Sequence, residues 1–190
     1  MPVALWRWFS AVSLNERKYL TPKEIDLLLT AARRYGREPD RNYCMILMGY
    51  RHGLRVSELV SLRWSQIDWR DERIFVPRLK SGKDTTHPLG SLEIKALRKL
   101  KYDHSGRYIF VSQRGGHVSD RQFRALLSEI GELAGLGHCH PHQLRHACGY
   151  ALANKGTDTR LIQDYLGHRS IASTAIYTEL NAVRFEGLWD

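Results

Sequence analysis

The sequence has no apolar run approaching the ~20 residues that a membrane-spanning helix requires, so no membrane partner is expected. Its three cysteines, Cys44, Cys139 and Cys148, are odd in number and too sparse for the disulfide framework of a small secreted domain. A reducing, cytoplasmic setting is the simpler expectation. The apolar, aromatic start is interrupted by Arg7 and has no basic segment ahead of a clean apolar stretch, so neither a signal peptide nor an anchor is expected there. Internal repeats, low-complexity tracts and domain-splitting linkers are also absent. Acidic residues are the minority charge: 20 Asp and Glu stand against 29 Lys and Arg, a formal net charge of +9. Such a surface attracts a polyanion, and nucleic acid is the commonest one. With 43% hydrophobic and 26% charged residues in 190, the composition is that of one well-packed domain rather than a disordered chain.

Helix and turn signals divide the chain in order. Residues 1–18 form an extension of uncertain structure whose Trp6, Trp8 and Phe9 need a surface to cover them. Thr21, Pro22 and Glu24 combine an N-cap, a first-turn proline and a capping-box acid, and the apolar spacing predicts a helix over Pro22 to Tyr35. A crowded apolar segment from Arg41 to Tyr50 reads as a core helix that stops at Gly53. Val56 to Leu62 is a short helix carrying Glu58, which puts Arg55 on the junction between the two. Ile67 and Ile74 to Val76 then suggest short strands, with Lys80 to Asp84 as a hairpin loop and Thr85 to Leu89 as the return strand. Further helices are expected from Ser91 to Leu100, after the cap Ser119, from Pro141 to Lys155, after Thr157 or Asp158 up to Gly167, and from Ser170 through Tyr177. Tyr108 to Val111 reads as another strand. The fold class is therefore mostly α with a small antiparallel β-sheet (α+β).

The chemistry concentrates between Pro141 and Tyr177. In HQLRH, His142 and Arg145 are three residues apart and share a helix face, so both can address one phosphate; His146 is placed to join them or pack behind. Arginine offers paired donors that match phosphate oxygens, and histidine donates a hydrogen bond or exchanges a proton near neutral pH. A zinc site competes for the same residues, because His138, Cys139, His140, His142, His146 and Cys148 crowd into eleven positions. The spacing lacks a Cys-x-x-Cys knuckle, and His142 to His146 lacks the glutamate of HExxH, so no metal is expected.

Five features in order extend this site: Arg55 in GLRVSEL, Lys80 before Ser-Gly-Lys, HQLRH, LGH at Leu166 to His168, and Tyr177 nine residues after His168. Together they resemble the catalytic domain of the tyrosine recombinases, the phage-integrase superfamily, over roughly residues 19–180. The stretch HPHQLRHACGYALANKGTDTRLIQDYLGHRSI, the Arg-Asn-Tyr-Cys run at Arg41 and the ending Arg-Phe-Glu-Gly-Leu-Trp are similar to the short recombinases of bacterial fimbrial phase-variation switches. The resemblance implies a catalytic-domain fold of that family and a site in which Tyr177 is the nucleophile that forms a 3′-phosphotyrosyl link. Arg55 and Arg145, assisted by His168, would clamp the phosphate oxygens. Lys80 would protonate the leaving 5′-oxygen, with Lys83 as its competitor, and His142 would help remove the tyrosine proton. Glu58 and His146 would play supporting parts. No metal or nucleotide cofactor is implied.

The expected partners are double-stranded DNA with short inverted repeats, a homotetramer formed on that DNA, and DNA-bending accessory proteins. Lys83, Arg78, Arg121, Arg124 and Arg169 are candidate backbone contacts. The implied outcome is inversion of a promoter-bearing segment by a DNA invertase that regulates transcription. Most of this superfamily carries an N-terminal core-binding domain, which is not expected within these 190 residues. Residues 181–190 would form a tail whose Phe185, Leu188 and Trp189 dock on a neighbouring subunit or on their own domain. Two alternatives stay open: a DNA-binding regulator that does not cut, and a topoisomerase using the same residues.

Overall fold

Thr21 starts the first helix as its sequence dictates. The Glu24 N–H donates to Thr21 Oγ1 at 3.3 Å, and the Thr21 N–H donates to Glu24 Oε2 at 2.8 Å. The computed structural model describes residues 18–78, 82–103 and 106–178. From this cap α1 (Pro22–Ala32) buries Ile25, Leu28, Ala31 and Ala32. It ends before the expected Tyr35, in a turn closed by Gly36 at φ 69°. α2 (Pro39–Arg51) is buried from Asn42 to Gly49, as its crowded apolar residues require, and packs against α1, against α4 (Ser91–Asp103) and against α6 (Pro141–Asn154). Gly53, at φ 55°, turns the chain into α3 (Val56–Val60).

The sheet is a three-stranded antiparallel meander of β1 (Ile67–Asp68), β2 (Arg73–Val76) and β3 (Thr85–Pro88). Ile67 pairs with Ile74, and Ile74 pairs with His87. Along β2 the side chains alternate between exposed and buried, so Ile74 and Val76 face the core while Phe75 faces out. Tyr108 to Val111, expected as a strand, instead makes isolated bridges from Tyr108 to Arg63 and from Val111 to His117. The neighbouring segment is extended at Arg63 but turns at once into the 3₁₀ helix Trp64–Gln66, so the pairing stops at a single bridge. Ile109 and Phe110 are nonetheless fully buried.

α5 (Asp120–Leu133) is capped by Ser119, which accepts from the Gln122 N–H at 3.2 Å. α7 (Thr159–Leu166) is capped by the Asp158 carboxylate and stops at Gly167, which is left-handed at φ 65°. α8 (Ala172–Thr178) packs on α6 and α7. A large apolar cluster runs from Leu20 to Ala147, and a separate small one joins Cys148, Ala153, Ile162, Leu166 and Tyr177. Among the described residues no helix is long and apolar enough to cross a membrane. Lys80, Trp6, Trp8, Phe9, Phe185, Leu188 and Trp189 lie outside the described residues.

Candidate active site

Arg55 is the N-cap of α3, with an extended backbone at φ −68° and ψ 154°. Its N–H donates to Glu58 Oε2 at 2.9 Å, and its Nη1 lies 2.8 Å from Glu58 Oε1. The carboxylate side chain is 1% exposed and the Arg55 side chain 26%, so the acid is the internal support and the guanidinium keeps an open face. Burial alone would raise the Glu58 carboxyl. The Arg55 N–H and the guanidiniums of Arg78 and Arg55 outweigh it and hold the group below its usual range.

Arg145 crosses from α6 to the two turns that flank the site. Its Nη2 donates to the Leu166 carbonyl at 2.8 Å and its Nη1 to the Gly53 carbonyl. Burial, with Arg55 and Arg78 nearby, lowers it to about 10, which leaves it charged at neutral pH. His168 follows the αL turn at Gly167, and its Nδ1 is 2.9 Å from Thr174 Oγ1 on α8. Burial first, then Arg145, Arg55 and Arg78, push its pKa down to about 4. His168 is therefore a neutral imidazole among guanidiniums.

Tyr177 is 1% exposed. Its Oη lies 2.9 Å from His146 Nδ1, its ring stacks on His168 with centroids 6.3 Å apart, and Tyr150 meets it edge-on at 5.1 Å. Burial raises the hydroxyl to about 12 and also lowers His146. The histidine that meets the tyrosine hydroxyl is thus His146, while His142 is exposed at the start of α6, its ring centroid 6.4 Å from that of His140. Helical spacing put both histidines near one face. Which of them meets Tyr177 depends on where α8 lands.

The structure brings Arg55, Arg145, His168, Tyr177, Glu58 and His146 together, and it corrects one expectation. Arg78 is not on a DNA-facing surface: its side chain is 0% exposed and ion-paired to Glu58 at 2.9 Å. Lys83, Arg121, Arg124 and Arg169 are exposed, Lys83 lying 3.7 Å from Asp164. The His/Cys-rich stretch scatters. Cys139 is buried in the large cluster, Cys148 points its thiol at the Arg51 carbonyl, and His138 pairs with Ser128. Among the described residues no group of three or more His, Cys, Asp and Glu could hold a metal ion.

Sequence reasoning missed Gly149. A Cβ there would lie 2.6 Å from Cε2 and Cζ of Tyr177, so the tyrosine ring rests on bare helix backbone. Glycine inside a helix costs roughly 0.5–1 kcal/mol relative to alanine, and that cost was the available signal of a close approach.

The description Phage integrase family matches residues 18–184. The Type 1 fimbriae regulatory protein FimB of Escherichia coli (strain K12) is 48% identical over 183 residues, which cover 93% of this chain and 91% of that protein. The Type 1 fimbriae regulatory protein FimE of the same strain is 44% identical over 185 residues, 93% of each chain. Among solved structures, XerA recombinase superposes with a TM-score of 0.76 at 31% identity, over 88% of this chain and 60% of that one. XerH site-specific recombinase bound to difH substrate shares the fold at a TM-score of 0.76 and 22% identity, over 92% of this chain and 55% of that one. With the family match spanning nearly the whole described site, and relatives of this similarity along its length, the chain belongs to the phage integrase family and is a tyrosine recombinase.

Proposed function

We propose that the protein inverts a DNA segment between short inverted repeats, switching transcription of genes for a surface structure from within the cytoplasm. The observation that carries the chemistry is the grouping of the Tyr177 hydroxyl, 2.9 Å from an imidazole nitrogen, with a stacked His168 and the Arg145 bridge. The names of the fimbrial relatives support inversion as the outcome.

Strand transfer uses the residues as follows. With His146 in its Nε2–H tautomer, Nδ1 accepts the proton as the Tyr177 oxygen attacks the scissile phosphorus; His142 assists from the exposed start of α6. Arg55 and Arg145 donate to the non-bridging oxygens, whose negative charge grows in the transition state, and neutral His168 adds a donor. The P–O bond to the 5′-carbon side breaks, and Lys80 protonates that leaving oxygen, with Lys83 as the rival donor. The 3′-phosphotyrosyl link conserves the bond energy, and attack by a 5′-hydroxyl of the partner strand reverses every step. Residues 19–180 are the catalytic domain, and residues 181–190 are a tail that either joins subunits of a homotetramer or docks on its own domain. Accessory DNA bending supplements the grip, and exposed Arg121, Arg124 and Arg169 contact backbone phosphates.

The test uses a nicked duplex carrying the site recovered by binding selection from a random DNA pool. Wild type is expected to form a denaturant-resistant adduct, and Tyr177→Phe none. Adduct formation by Tyr177→Phe at the wild-type level overturns the nucleophile assignment. A wild type that binds the selected site and forms no adduct points instead to a non-cutting regulator.

A further inference from the structure

Arg78 ends the β2 side of the hairpin with its side chain turned wholly inward. Its Nη1 lies 2.9 Å from Glu58 Oε2, and its Nη2 donates to the Tyr165 carbonyl at 2.5 Å and to the His52 carbonyl at 3.5 Å. Its backbone N–H donates to Asp84 Oδ1 at 2.8 Å, across the hairpin. Two glycines make room for it. A Cβ on Gly167 would lie 2.8 Å from Arg78 Cγ, and one on Gly82 would lie 2.7 Å from Arg78 Cβ. The arginine therefore touches the end of α2, the support under Arg55, and the turn of α7 that leads to His168.

Glu58 is a buried carboxylate shared by two guanidiniums. Were Arg55 its only partner, the ion pair would hold much of Arg55's charge in place of a phosphate. Three guanidiniums, Arg55, Arg78 and Arg145, against this one carboxylate leave a net charge of two. A phosphodiester attacked by a tyrosine oxygen acquires two negative charges in its five-coordinate transition state, which these guanidiniums can offset at the non-bridging oxygens.

We propose that Arg78 is a positioning residue for strand transfer, one that neutralises Glu58 so that Arg55 stays available to the phosphate and that pins the turn bearing His168. This rests on the strand-transfer reading above. Arg78 does not touch DNA; it acts through Glu58 and the Tyr165 carbonyl.

The experiment measures single-turnover adduct formation on the nicked duplex at saturating protein, together with DNA affinity and the urea midpoint. Arg78→Met is expected to slow the adduct step about a hundredfold, the scale of a misplaced catalytic group, and to leave affinity unchanged. The double variant Arg78→Met/Glu58→Gln removes both charges of the pair and should recover about tenfold over Arg78→Met, because neighbouring charges couple non-additively. A methylphosphonate at the scissile position, which carries one negative charge fewer, should shrink the Arg78→Met deficit, a change that scaffolding alone would not produce. Arg78→Lys keeps the charge and should fall between wild type and Arg78→Met; with the double variant it carries the comparison if Arg78→Met does not fold. An Arg78→Met rate equal to wild type overturns the proposal. So does a folded double variant no faster than Arg78→Met with no recovery on the methylphosphonate. A wild type that forms no adduct overturns the strand-transfer reading, and the positioning role falls with it.

Discussion

Arg55 and Glu58 lie among Leu54, Val56, Leu59 and Val60, all members of the large apolar cluster, whereas Tyr177 belongs to the small cluster with Cys148, Ala153, Ile162 and Leu166. On the arginine side every key group is held by charge or by a backbone carbonyl: Glu58 by two guanidiniums, Arg145 by Gly53 and Leu166. On the tyrosine side Tyr177 rides the short helix α8, and its hydroxyl meets His146. A segment with a small apolar anchor opens at lower free energy than the main core. The arginine half is thus prebuilt, and Tyr177 sits on a short helix with a small apolar anchor. At 1% exposure the Tyr177 side chain is out of water; in the strand-transfer reading proposed above, it or its surroundings would shift to meet a phosphodiester.

The largest break in this contrast is expected on the prebuilt side. Arg145→Ala should lower adduct formation by about a thousandfold, the cost of losing a transition-state donor. It should also lower the urea midpoint, because two buried carbonyls lose their donor, at about 1–3 kcal/mol each. A variant that loses activity with an unchanged midpoint would show that the arginine does not brace the two turns. Next comes the seat of Tyr177. Gly149→Ala would place a methyl 2.6 Å from the Tyr177 ring, so adduct formation should fall about a hundredfold while DNA affinity holds. An ordinary mid-helix Gly→Ala change stabilises by roughly 0.5–1 kcal/mol; here a lower melting temperature is expected, and a higher one would mean that the ring does not need the bare backbone.

The mildest prediction concerns acid. Burial pushes His52 down to about 3 and His87 to about 4, and His168 also stands at about 4. His52 is further lowered by its neighbour His87, whose Nδ1 is 3.2 Å from its own, and by Arg78 and Arg51. Groups with folded pKa values below an unfolded value of about 6.5 bind more protons when unfolded. Their contribution is complete above that value and is lost as pH falls toward 4. Urea midpoints should decline steadily over that window, and Tyr177→Phe, which leaves these histidines in place, should decline in parallel. A flat profile down to pH 4 would show that these histidines accept protons in the folded state.

Local signals located most elements. Thr21, Ser119 and Asp158 cap helices where their side chains reach free amides, and Gly53 and Gly167 end segments at positive φ. Tyr108 to Val111 misled because four consecutive apolar residues describe burial, while a strand also needs a run of paired residues rather than single bridges. The site's residue types were legible as well, since HQLRH, LGH and Tyr177 bring together the functional groups that phosphate chemistry requires. Arg78 was misread because an arginine beside a hairpin loop is usually solvated, and its inward turn depends on a carboxylate and two carbonyls on other elements.

The sequence by itself determined the capped helix starts, the meander and the set of groups from which the site is built, because caps, turn glycines and apolar periodicity act between near neighbours. The tertiary structure decided which histidine meets Tyr177, which glycine seats its ring and which arginine serves the interior. Those contacts join residues 31 apart for His146 and Tyr177 and 87 apart for Arg78 and Tyr165. Their partners are set by how whole helices pack, which no local pattern encodes.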